Sequence, residues 1–104
     1  MMNWYSQLTR LILDFYRENP AELRQLKVLE SCRLNRWWGI LRIHCPNSDI
    51  AYTIVDRATL LCEPISQLRL AYEIRLIVDG SVVTSLSVQQ CTAKQSRRSS
   101  DRLL

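Results

Sequence analysis

Ile40-Leu41-Arg42-Ile43-His44-Cys45-Pro46-Asn47-Ser48-Asp49 is the stretch that decides the fold, because a strand pattern gives way within two residues to a helix start. Alternation puts Leu41, Ile43 and Cys45 on one face and Ile40, Arg42 and His44 on the other, so a sheet built on them is packed on one side and polar on its reverse. Pro46 interrupts the ladder, Asn47 or Ser48 can cap the following helix, and Asp49 falls in its positive first turn. Ile50, Ile54, Ala58, Leu61 and Ile65 then recur at three- and four-residue steps, the stripe of a core helix. Pro64 has no N–H to give Leu60, so that helix is expected to kink or restart there. Leu68 and Leu70 lead into a second buried strand, Tyr72 to Val78. Asp79-Gly80 is a hairpin signal, and Ser81 to Val88 alternates well enough to be a further strand.

Working back toward the N-terminus, Gly39 is the only glycine among the first 79 residues and separates two β-rich runs. It predicts a tight turn at Trp38-Gly39 between a strand over Ser31 to Trp38 and its antiparallel partner, Ile40 to Cys45. Before them, Asn3 can cap a helix whose stripe is Trp4, Leu8, Leu11 and Phe15, widened by Ile12. Asn19 can cap a second helix with Pro20 at its first position, Glu22 at capping-box spacing, and Leu23, Leu26 and Leu29 on adjacent turns. The elements read α-α-β-β-α-β, with a fourth C-terminal strand. They predict an α+β domain over residues 1–90 in which helices cover one face of a small sheet, followed by a basic tail over 91–104.

Composition bounds the rest. A chain of 104 residues, 47% hydrophobic, supports one core and buries roughly 60% of its unfolded surface. Cys32, Cys45, Cys62 and Cys91 form no CxxC pair and fit neither a zinc ribbon nor a disulfide framework, which leaves free buried thiols in a reducing compartment and no metal site. Arg10 and Asp14 interrupt the apolar run around Ile12, and nothing approaches a membrane span, so a cytoplasmic protein is expected. The net charge of +4 is uneven: residues 1–90 carry ten basic and nine acidic side chains, and residues 91–104 carry four and one. The tail, with Arg97 and Arg98, is the basic part and is expected to be disordered, able to touch phosphates or simply to be solvated.

The element order resembles the N-terminal domain of the bacterial replication initiator DnaA, a variant of the KH fold. Leu41-Arg42-Ile43-His44-Cys45-Pro46-Asn47 is similar to that family's strand ending in Pro-Asn before its long helix, and Tyr72-Glu73-Ile74-Arg75-Leu76-Ile77-Val78 is similar to its final strand. Trp4, with Leu8 and Leu11 at matching steps, sits where the family often has a tryptophan. The resemblance spans residues 3–79 and implies a KH-like protein-interaction module, an adaptor in DNA replication or its regulation. Its implied partners are a replicative helicase, a loader or an initiator, with self-association through the first helix. By position, Trp4 and Leu8 are the self-association candidates and Glu22 a partner-facing acid. The second helix departs from the family in having Leu23 and Leu26 in place of an aromatic pair, and no nucleotide-binding segment is evident.

Other chemistries leave weaker marks. His44 has no nucleophile-elbow or dyad pattern beside it, and Cys45 points the opposite way in a strand. Asp49, Asp56 and Glu63 repeat every seven residues as the polar side of an amphipathic helix does. With two glycines there is neither a phosphate loop nor the Gly-x-x-Gly of KH recognition. An enzyme is therefore not expected, nor a cofactor. The polar sheet face, however, gathers Arg33, Arg42, His44 and Arg75 beside Trp37, a mixture that is either a solvated exterior or a single-strand nucleic-acid surface. Trp37 and Trp38 are adjacent, so at most one can be core, and Trp37 or Trp4 is expected at an interface. Two function classes follow: a protein-interaction adaptor, and a single-stranded nucleic-acid binder working through the sheet face or the tail.

Overall fold

A computed structural model describes residues 6–91. Asn3, Trp4 and the tail with Arg97 and Arg98 lie outside the described residues. Helix α1 (Ser6–Asp14), helix α2 (Pro20–Leu26) and a 3₁₀ turn (Lys27–Ser31) precede strands β1 (Arg33–Trp37) and β2 (Ile40–Cys45). Helices α3 (Ser48–Asp56) and α4 (Ala58–Gln67) follow, then strands β3 (Glu73–Val78) and β4 (Ser81–Ser87). The four strands lie in chain order in one mixed sheet, with β2 and β3 parallel and both outer pairs antiparallel. The fold is thus α+β, helices on one face of a small sheet, with the fourth strand present.

The alternation read from β2 is the alternation found. Leu41, Ile43 and Cys45 are buried, and Ile40, Arg42 and His44 are half-buried on the reverse. Leu34 of β1 and Ile74 and Leu76 of β3 join the buried side, where Ile12, Leu26, Leu29, Ile54, Leu61 and Ile65 close the core from the helices. Each such aliphatic side chain withdrawn from water contributes about 2 kcal/mol. Asn47 is the cap that starts α3: its side chain accepts the Ile50 amide at 2.9 Å. Both hairpin turns form as read, with φ of 55° and 72° at Trp38-Gly39 and 53° and 78° at Asp79-Gly80, the double positive φ of a type I′ turn.

Three local expectations are corrected. The α1 stripe is rotated: Thr9, Ile12 and Tyr16 are buried, while Leu11 and Phe15 are 46% and 37% exposed. The second helix is shorter, since Leu29 and Glu30 belong to the 3₁₀ turn, and Asn19 precedes α2 without a side-chain capping bond. Finally, the long helix breaks at Arg57, whose φ of −108° leaves the helical region, and runs unbroken through Pro64. A straight helix over both halves would extend about 30 Å, against about 20 Å for the strands beneath it, so a break lets each half stay on the sheet.

Pro64 is tolerated for a specific reason. The carbonyl it leaves without an amide donor, that of Leu60, accepts the Tyr16 hydroxyl at 2.7 Å. Beyond Pro64, α4 ends in a Schellman motif, the Leu70 amide reaching the Ile65 carbonyl at 2.9 Å and the Arg69 amide reaching Ser66 at 3.2 Å. Arg69 supplies the left-handed residue, with φ of 55°.

The Tyr16–Leu60 bond yields a double-mutant test. Tyr16→Phe is expected to cost about 1 kcal/mol in urea unfolding, because a part-buried carbonyl loses its donor. In a Pro64→Ala background, where the helix supplies its own amide, the same change is expected to cost about half as much or less. Equal costs in the two backgrounds would disprove the compensation.

Candidate surface on the open sheet face

Sheet register assembles this surface. Arg33 of β1 is paired with His44 of β2, Asn35 with Arg42, and Trp37 with Ile40. Arg42 is paired in turn with Arg75 of β3, Ile40 with Glu73, and His44 with Ile77. On β4, Ser87 lies beside Glu73 and Ser85 beside Arg75. Because successive side chains alternate, these residues share the face away from the helices. Arg33, Arg42, Arg75 and His44 are therefore brought together with Trp37, and Glu73 is the only carboxylate of that face among the described residues.

Glu73 is held rather than loose. Its Oε2 accepts from Arg75 Nε at 2.8 Å and from Ser85 Oγ at 2.9 Å. Those two hydrogen bonds, the Arg75 one foremost, hold its pKa below the usual glutamate range, so it is a carboxylate at any pH of interest. Asn35 Nδ2 and His44 Nε2 approach to 3.5 Å across the β1–β2 pair. Arg36, by contrast, is turned to the helix side, where its Nη1 donates to the Leu70 carbonyl at 3.2 Å.

The core takes neither tryptophan. Trp37 is 63% exposed on the open face at the end of β1, and Trp38 is 77% exposed in the turn. Their rings meet edge to face with centroids 5.9 Å apart. A left-handed backbone is unusual for a bulky aromatic, so Trp38 carries strain of about 1–2 kcal/mol that no burial offsets. Gly39 cannot be replaced without cost either, since a Cβ there would collide with the Tyr72 ring as well as strain the turn. Tyr72 rests one side of its ring on that glycine yet is 62% exposed, at the rim of a cavity of about 390 Å³ whose other walls include Ser66, Arg69 and Leu70. Sequence reasoning missed Tyr72 and Asn35; the pairing of Gly39 with Tyr72, visible only across strands, is what marks the former.

The protein-docking candidates do not form one site. Leu8 packs against the core from α1 and Glu22 is half-buried on α2, both on the side of the sheet opposite Trp37. Cys32 and Cys62 offer little nucleophilic chemistry. Burial pushes the Cys32 thiol up to about 12, with Cys45 beside it, and pushes Cys62 up as well, with Cys91 beside it. Among the described residues no three His, Cys, Asp or Glu side chains converge on a metal position, and no helix is long and apolar enough to cross a membrane. Compared with protein-family models, curated proteins and solved structures, the chain has no match.

Trp38 provides a separable test of strain against use. Trp38→Asn, which suits a left-handed turn position, is expected to raise unfolding stability by about 1 kcal/mol. A loss of stability in urea unfolding would show instead that the indole supports the fold.

Proposed function

We propose that this protein is a non-catalytic recognition module of the cytoplasm that binds single-stranded nucleic acid on the open face of its sheet. The observation that carries the reading is the register that sets Arg42 and Arg75 on the same face as the exposed Trp37, with Arg33 and His44 farther along the strands and one carboxylate among them. Charge complementarity favours an anionic strand. Adjacent strands are about 4.8 Å apart, so the paired Arg42 and Arg75 can reach neighbouring phosphates of one strand. An exposed indole offers a π-face to any base, a contact of about 1–3 kcal/mol. The near-neutral balance of residues 1–90 fits a local binding strip better than a broad electrostatic surface.

A second reading keeps the protein-interaction adaptor suggested by the resemblance to the initiator domain. Its support is the exposed pair Leu11 and Phe15, four residues apart around the end of α1. A helicase, loader, initiator or second copy docking there would bind with little salt dependence, because apolar contacts are not screened.

Fluorescence anisotropy with labelled single-stranded and duplex oligonucleotides, at low and physiological salt, separates these readings. Single strands are expected to bind more tightly than duplex. Arg42→Ala is expected to flatten the logarithmic salt slope by about 0.7, one phosphate's worth. Trp37→Ala is expected to weaken binding by about 1–3 kcal/mol with the slope unchanged. If Arg97→Ala with Arg98→Ala abolishes binding while Arg42→Ala and Trp37→Ala leave it intact, the sheet face is not the site.

A further inference from the structure

We infer that Glu73 reads the base stacked on Trp37 and selects guanine. This rests on the single-strand reading of the open face. The row Trp37–Ile40–Glu73–Ser87 crosses all four strands in register, so Glu73 lies two strands from Trp37, about 10 Å between backbones. Between them stands Ile40, half-buried and presenting an apolar floor. A base whose ring overlaps the indole and rests over Ile40 directs its hydrogen-bonding edge at the Glu73 carboxylate.

That carboxylate is prepared for the role. Arg75 Nε and Ser85 Oγ both bond Oε2, which fixes the group, and Oε1 takes no hydrogen bond among the described residues. An ionised carboxylate only accepts, so it rewards bases that donate. Guanine presents two neighbouring donors, N1–H and N2–H₂, to one carboxylate. Adenine and cytosine each offer an exocyclic amine, and uracil and thymine offer N3–H between two carbonyls that the carboxylate repels. Arg75 binds Glu73 through Nε, and its terminal nitrogens stay available to the phosphate of the same nucleotide. One ion pair thus couples base reading to backbone holding. It also explains a carboxylate on a face that otherwise attracts phosphate.

The test uses the full chain and strands of about nine nucleotides, all uridine or all thymidine, with or without one central guanosine, adenosine or cytidine. A single guanine is expected to tighten binding about tenfold over the all-pyrimidine parent, with adenine and cytosine intermediate. Ribose and deoxyribose versions tell whether RNA, DNA or both are accepted. Glu73→Gln and Glu73→Ala are expected to raise affinity for every strand, since a negative charge leaves the face, and to bring the guanine ratio within about twofold of unity. The ratio is therefore the readout that a bulk electrostatic effect does not move. Wild-type binding without a guanine preference, or a preference that survives in both variants, overturns the assignment of Glu73. Absence of any binding by the wild type overturns the single-strand reading itself and the inference with it.

Discussion

One hydrogen bond, from the Tyr16 hydroxyl to the Leu60 carbonyl, holds this architecture to its form. Proline at position 64 deletes the amide that would serve that carbonyl, and a buried acceptor left alone costs roughly 1–3 kcal/mol. The bond spans 44 residues of sequence and so fastens the segment following α1 to the first turn of α4. It adds to the apolar contacts that hold the helices as one layer on one side of the sheet. Burial, followed by the nearby Glu63 and Glu22 charges, raises the Tyr16 pKa to about 12 from an ordinary 10.0. The phenol therefore remains a donor at neutral pH. Its contribution to stability is fully present below the ordinary tyrosine value and is lost as pH rises from there toward 12.

A one-sided helix layer leaves the other side of a four-stranded sheet to be occupied by whatever the alternate residues happen to be. Here they are arginines, a histidine, small polar residues and a tryptophan, with Ile40, Ile77 and one glutamate among them. The Glu73–Arg75–Ser85 cluster gives that surface a fixed point. Its members come from two neighbouring strands, so their mutual position is set by the backbone ladder, whose geometry is stiffer than a loop's.

Backbone strain is distributed unevenly. Of the three non-glycine residues at positive φ among the described residues, Asp79 is a common occupant of a type I′ turn, and Arg69 terminates α4 with Ile65 and Leu70 buried on either side of the motif. Trp38 alone combines left-handed backbone, a bulky side chain and high exposure. Strain retained at an exposed aromatic beside a basic strip fits a side chain kept for a contact outside the fold.

Periodicity carried the secondary structure. The two-residue alternation of Ile40 to Cys45 and the Asn47 cap could be read directly, because strand faces and helix starts depend on neighbours in sequence. Both glycine turns were equally legible, since positive φ restricts the residue type. The rotated stripe of α1 was not, because Leu8, Leu11 and Phe15 fit a helical face as well as Thr9, Ile12 and Tyr16 do, and the choice belongs to what the helix packs against. The break at Arg57 has no glycine or proline to announce it, and the continuity through Pro64 depends on a tyrosine far away in the chain. The open face was largely legible: alternation already grouped Arg33, Arg42, His44 and Arg75 with Trp37, but only strand order and register showed which of them are paired and placed Glu73 across Ile40 from the indole. Sequence by itself determined which residues can share an element's face, because local geometry has a fixed period. Tertiary structure alone decided which faces meet, because that depends on contacts between residues dozens of positions apart.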